Sequence, residues 1–170
     1  MEQTFIHPIF ESNTKEFFDM ARSSFKFPLY LFLKLPSAFF SGLRIKSMDE
    51  EACVVTIPYK WFSQNPFKST YFACLSMAAE MSTGALGLAH THKSNPSVSM
   101  LVVSIEGDFY KKATGLSSFV CREGLRIKET IADAIYSGVG KSIQVTSVGT
   151  NEHGEKVAEF RVTWSFKARK

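Results

Sequence analysis

Between Lys68 and Lys93 the chain runs for 24 residues with a single formal charge, Glu80, set beside Met77, Ala79 and Met81. A carboxylate in such company loses hydration, which raises its pKa toward neutrality and suits it to take a proton from water. Upstream stand Asn65, Tyr71, Phe72 and Ala73, where the pattern predicts a helix start capped by Ser69 or Thr70. The amides of Tyr71 to Ala73 then point out of the helix N-terminus without intrahelical acceptors, and the macrodipole there favours negative charge developing on a carbonyl oxygen. Donors for an oxyanion and a carboxylate that activates water, or attacks directly, are the parts needed to cleave an activated acyl group. Distance separates them. Glu80 lies eight residues past Phe72, about 12 Å along the helix axis, too far to act on a carbonyl held at that helix's own first amides. The acid must come from a second subunit, which predicts a symmetric homodimer, alone or as a dimer of dimers.

The elements that must position these groups follow from periodicity. The segment from about Thr70 to His90 is apolar or small on every face, so it is a helix buried all round. Ala73, Ala78, Ala79, Gly84, Ala85, Gly87 and Ala89 keep it thin, so other backbones can approach closely despite the propensity cost of interior glycines. Alternation predicts a hairpin from Leu43 to Ile57, then strands over Val98–Tyr110, Thr114–Arg122, Ser142–Thr150 and Lys156–Lys167, the last two joined by the turn Asn151-Glu152-His153-Gly154. Leu125 to Ser137 reads as a short crossover helix. Asn13 and Glu16 resemble a capping box for a first helix over about Thr14–Ser24, and residues 27–40, interrupted by Pro28 and Pro36, read as an irregular apolar connector. The fold class is α+β: a curved antiparallel sheet wrapped around one long central helix, in a single domain over residues 1–170 whose first 36 residues are the helix and connector.

With 170 residues, 45% of them apolar, the chain has material for one full core, which excludes disordered and fibrous classes. The 16 Phe, 5 Tyr and 2 Trp exceed what a core needs, and the surplus predicts an apolar ligand site, a subunit interface or both. A formal charge of +4 is too small to imply nucleic acid. Cys53, Cys74 and Cys121 have neither disulfide nor metal-ligand spacing, and His90, His92 and His153 lack metal-ligand company, so no metal and a reducing, cytoplasmic setting are expected. The N-terminus has no signal-peptide pattern. Residues 27–40 are too short to span a bilayer and residues 69–92 carry Glu80 and hydroxyls, so no membrane insertion is expected.

The run Trp61-Phe62-Ser63-Gln64-Asn65-Pro66-Phe67-Lys68-Ser69-Thr70-Tyr71-Phe72-Ala73, continuing to Ala79-Glu80, resembles the hotdog-fold acyl-thioester hydrolases, in particular a thioesterase-like branch of unknown function. In the phenylacetate-degradation type of that superfamily the pattern is Asn, five residues, His-Gly-Gly, six residues, Asp. Here Asn65 keeps the Asn, Tyr71 takes the His place, Phe72 and Ala73 take the two Gly places, and Glu80 takes the Asp place at identical spacing. Asp108 to Gly115 also looks like that superfamily's central strand pair. The resemblance implies an acyl-CoA or acyl-carrier-protein thioesterase active at a dimer interface, with Glu80 as acid or base, Asn65 and the Phe72 amide positioning the carbonyl, and Phe-rich walls holding the acyl chain. It implies no cofactor beyond coenzyme A carried as part of the substrate, whose phosphates Lys111 or Lys112 would meet.

Plainer readings stand beside these. Asn65 before Pro66 is a common turn former, Tyr71 with a pKa of about 10 cannot replace imidazole as a base, and Lys111-Lys112 is by default a solvated pair. Glu80 alone in an apolar helix also fits a purely structural role at an interface. Loss of His-Gly-Gly favours an acyl-binding protein without turnover as the alternative function. A hydroxyacyl dehydratase on the same fold would need a His where Tyr71 stands.

Overall fold

The computed structural model describes residues 8–169. Its centre is α4 (Phe72–Thr91), a 20-residue helix whose Cys74, Leu75, Ala78, Ala79, Met81, Ala85, Leu86 and Ala89 are buried. By length and composition this helix would pass for a membrane span, but most of it is enclosed by the rest of the molecule. A six-stranded antiparallel sheet curls around it in the order β1-β2-β4-β5-β6-β3: β1 (Arg44–Met48), β2 (Cys53–Ile57), β3 (Val98–Phe109), β4 (Ser117–Cys121), β5 (Lys141–Thr150) and β6 (Lys156–Ala168). This is the hotdog arrangement. Phe160, Val162, Trp164 and Phe166 of β6 are buried while Arg161, Thr163 and Ser165 are less so, the alternation expected of a strand with one face on the core. In the β5–β6 turn the Asn151 side-chain oxygen accepts from the His153 and Glu155 amides, and Gly154 takes the left-handed conformation at φ 78°.

Small residues on α4 do what their size predicts. A Cβ at Gly87 would stand 2.7 Å from Met100 Cε, so the glycine lets the β3 thioether lie on the helix where any side chain would push its flexible end aside. The crossover helix α5 (Gly124–Ser137) buries Ile127, Ile131 and Ala134.

Three local expectations are corrected. The first helix, α1, spans Pro8–Arg22, so Asn13 and Glu16 lie inside it and do not form a capping box. They grip the end of α4 instead: Asn13 Nδ2 donates to the Lys93 carbonyl at 2.9 Å and Glu16 pairs with Lys93 Nζ at 2.7 Å. Residues 27–40 are not irregular but form most of α2 (Lys26–Lys34) and α3 (Pro36–Ser41). Pro28 sits in the first turn of α2 and Pro36 opens α3, positions where a missing N–H costs nothing. The strand expected over Thr114–Arg122 is shorter, since residues before Ser117 belong to a loop. His90 is buried in the last turn of α4.

Candidate functional site

The loop between the Trp61–Ser63 turn and α4 is organised by Asn65. Its Oδ1 accepts from the Phe67 amide at 2.9 Å, the Ser69 amide at 3.3 Å and the Ser69 hydroxyl at 3.2 Å, while Nδ2 donates to the Thr70 carbonyl at 3.4 Å. The Lys68 backbone, at φ 56°, completes the reversal. The loop is then tied down on both sides: the Thr70 amide donates to the Ala113 carbonyl at 2.8 Å and the Tyr71 amide to the Ser63 carbonyl at 2.7 Å. With its amide spent in this way, Tyr71 becomes the N-cap of α4, in extended backbone and without a side-chain cap bond, in place of the expected Ser69 or Thr70. Cys74 and Leu75 both donate to the Tyr71 carbonyl, at 2.9 and 3.3 Å. The amides of Phe72 and Ala73 precede the first intrahelical acceptor and meet no other acceptor among the described residues.

The start of α4, with Phe72 in its wall, borders a groove of about 530 Å³ formed by the 65–75 segment on one side and Phe109 to Ala113 on the other. Five of the residues singled out in the sequence meet there: Asn65, Tyr71, Phe72, Lys111 and Lys112. Ala73 and Glu80 do not line it. Its walls are largely apolar, with Phe72 edge-on to Tyr71 at 4.8 Å and to Phe109 at 6.5 Å between ring centroids. Phe67, Tyr110 and Leu75 also line it and were not singled out beforehand. Tyr110 was visible only as a strand end and within the Asp108–Gly115 stretch, and Phe67 only as one residue of the Trp61–Ala73 run. The two lysines lie just past the end of β3, so strand alternation does not separate them and both reach the groove. Lys111 is ion-paired with Glu155, and Lys112 Nζ donates to the Phe67 carbonyl at 3.4 Å. No carboxylate is among the lining residues.

Glu80 lies about two turns further along α4. Burial raises its pKa to about 6. Its carboxylate rests beside Gly84 and the Trp164 indole, on the side of the helix that meets β6 and β3. The helix is pinned there through side chains: Trp164 Nε1 donates to Thr83 Oγ1 at 2.9 Å, and Thr83 Oγ1 donates to the Glu80 carbonyl at 2.8 Å. A second buried contact joins the Ser82 and Ser147 hydroxyls at 2.7 Å.

The neighbouring β3 is a sheet edge of 12 residues with Leu101, Val103 and Ile105 exposed. A long apolar edge of this kind is a template for pairing with another strand.

A family model described as a domain of unknown function (DUF4442) matches residues 29–166. No curated protein sequence matches the chain. Among solved structures, a protein of unknown function from Pseudomonas aeruginosa described as a probable thioesterase is 21% identical, with a TM-score of 0.67, over 92% of this chain and 96% of its own. A protein of unknown function from Chlorobaculum tepidum is 15% identical with a TM-score of 0.72, over 94% and 96% of the two chains. A thioesterase from Haemophilus influenzae is 11% identical with a TM-score of 0.61, over 82% and 88%. At these identities the likeness establishes the fold.

Proposed function

The chain belongs to the DUF4442 family, and from that premise we propose that it hydrolyses acyl thioesters, of coenzyme A or of a carrier protein, at the interface of a homodimer. The observation that carries this reading is a separation: the groove offers open donors and cations but no carboxylate, while the one acid of α4 stands outside it, desolvated to a pKa of about 6. Pairing two β3 edges would continue the sheet across a two-fold axis and bring the partner subunit's Glu80 toward the groove. The thioester carbonyl oxygen then sits at the Phe72 and Ala73 amides. Glu80 of the partner subunit takes a proton from water as the water oxygen bonds to the carbonyl carbon, and negative charge moves onto the carbonyl oxygen, where the amides and helix dipole stabilise it. Collapse re-forms the C=O bond and breaks the C–S bond; the proton passes to the departing sulfur, leaving a carboxylic acid and a free thiol.

In this reading Asn65 acts mainly by holding the loop that aims the amides, since its oxygen already accepts three donors. Tyr71 and Phe72, with Phe109, shape the wall against the acyl chain. Lys112, and Lys111 once released from Glu155, can meet phosphates of the carrier arm. One observation favours a second reading, binding without turnover: Phe72 puts an aromatic ring beside the open amides where the resembling pattern has glycine. The two are separated by a thiol-release assay over a panel of acyl-CoA lengths, comparing the parent with Glu80→Ala after confirming that the variant keeps its oligomeric state. Release that depends on Glu80 supports hydrolysis. Saturable acyl-CoA binding with no thiol released selects the binding protein.

A further inference from the structure

Outside the residues that line the groove, α2, α3 and the Trp61–Ser63 turn present an apolar surface that the thioester reading leaves unused. On α2, counting its N-cap Phe25, the residues Phe25, Leu29, Phe32 and Leu33 fall within an arc of about 100° at 100° per residue, and all are exposed, Phe25 at 75% and Leu33 at 65%. The opposite face, Phe27 and Leu31, is buried in the core. Ring contacts carry the surface onward: Phe32 to Phe39 at 5.2 Å, Phe39 to Phe40 at 5.3 Å, Phe40 stacked on Phe62 at 5.6 Å, and Phe62 against Trp61 at 5.8 Å, with Trp61 80% exposed. A continuous aromatic patch of this kind marks a docking surface.

The charges around it identify the partner. Residues 20–48 and 52–79 contain no Asp or Glu. Lys26 and Lys34 flank α2, Lys60 precedes Trp61, and the Arg44 guanidinium lies 5.5 Å from the Phe39 ring centroid. All four are exposed, and none is ion-paired with a described residue. Glu16, which acts on Lys26 from α1, is held by Lys93. A two-fold contact with a second copy would set this cationic surface against itself, like charge on like. Exposed apolar side chains rimmed by lysines match the boundary of an anionic bilayer, where rings and leucines enter the acyl region and the long cations reach up to phosphates.

We propose that this chain docks peripherally on anionic lipid membranes through α2, α3 and the Trp61–Ser63 turn, with α4 remaining in the core. The turn leads directly into the 65–70 loop, so the docked surface sits next to the groove.

The two Trp residues make the test direct, because Trp164 is buried and Trp61 is not. The intact protein is mixed with phosphatidylcholine vesicles lacking or containing about 30% phosphatidylglycerol, and binding is read by flotation and by Trp emission. The expected result is at least roughly tenfold stronger binding to the anionic vesicles, weakened by salt, with a blue shift that Trp61→Phe abolishes. Lys26→Glu with Lys34→Glu, and separately Phe32→Ser with Leu33→Ser, should each reduce binding while circular dichroism stays unchanged. No binding to anionic vesicles at low salt overturns the proposal, as does undiminished binding by the charge-reversed variant. A vesicle-independent shift that follows protein concentration overturns it in favour of a contact between copies.

Discussion

The Glu80 carboxylate lies against Gly84: a Cβ at Gly84 would stand 3.0 Å from Glu80 Oε1, and 3.0 Å from Trp164 Cζ2 as well. The indole is held by its hydrogen bond to Thr83, so the flexible carboxylate is the group that would yield. Gly84→Ala should gain about 1 kcal/mol of helix propensity and lose a similar amount to crowding, leaving stability within about 1 kcal/mol of the parent. Thioester hydrolysis should fall on the order of tenfold, because displacement of a positioned catalytic group costs more in rate than in stability. Urea unfolding and thiol release on the same samples check both halves. Undiminished turnover would show that crowding at Gly84 does not displace Glu80 from a catalytic position.

Ionisation of Glu80 links activity and stability to pH with a definite sign. Its pKa is raised from 4.5 to about 6 by burial, so the folded state holds the extra proton between those values. The group favours folding below pH 4.5, and this contribution is lost as pH rises through 6. Ionised at pH 8, Glu80 costs up to about 2 kcal/mol, an upper bound because its side chain keeps some water contact. Glu80→Gln should therefore be the more stable protein at pH 8, by up to about that amount, with the advantage vanishing near pH 4.5. Its thioester hydrolysis should be lost, while the parent's rate rises with pH through about 6. Denaturation curves at the two pH values and a pH–rate profile test the pair.

The sheet was legible because its strands alternate with a strong period, and the buried helix because a long run is apolar or small on every face. Glu80 also stood out, as the one charge in a run where a charge is expensive. The groove was less legible, since its far wall, Phe109 to Ala113, is brought to the helix start by the Thr70–Ala113 hydrogen bond, a contact across 43 residues that no local pattern encodes. The prolines of residues 27–40 misled for a specific reason. Proline breaks a helix interior yet suits a first turn, and distinguishing the two requires knowing where the helix begins. Asn13 and Glu16 misled in the same way, with cap-like spacing used for a tertiary clasp on Lys93.

Thr83 joins the helix to the sheet, accepting from Trp164 Nε1 and donating to the Glu80 carbonyl. Thr83→Val keeps the shape but leaves the buried indole N–H without its acceptor, at a cost of about 1–3 kcal/mol. Thr83→Ser, which keeps the hydroxyl, should lose much less. The comparison is read by chemical denaturation, and equal losses in the two variants would show that the hydrogen bond is not what matters there.

His90 should work against acid stability. Burial, with the nearby Lys128 charge adding to it, lowers its pKa to about 4. The unfolded chain takes up a proton near 6.5 that the folded chain refuses until about 4, so stability is full above pH 6.5 and declines as pH falls toward 4. The loss from this residue is about 3 kcal/mol. Glu80 opposes it over part of that range, so the decline should be steeper in Glu80→Gln than in the parent. A titration of the His90 ring by NMR that shows protonation near pH 6.5 in the folded state would contradict this account.

Asn65 can be divided between its two atoms. Its Oδ1 gathers the Phe67 amide and both Ser69 donors, whereas Nδ2 makes one long bond, 3.4 Å, to the Thr70 carbonyl and has a second hydrogen to offer the groove. Asn65→Ala removes all of these bonds and should loosen the 65–70 loop, costing about 1–3 kcal/mol and most of the activity together. Asn65→Asp keeps the acceptor and discards only the donor, which makes it the informative variant. If the residue serves by shaping the loop, Asp should retain stability within about 1 kcal/mol and the larger part of turnover, with amide exchange at Phe67 and Ser69 still slow. If Nδ2 donates to substrate or water, Asp should fold equally well and yet lose turnover, with kcat falling more than KM rises. The three acceptor bonds, each shorter than the single donor bond, lead us to expect the first result.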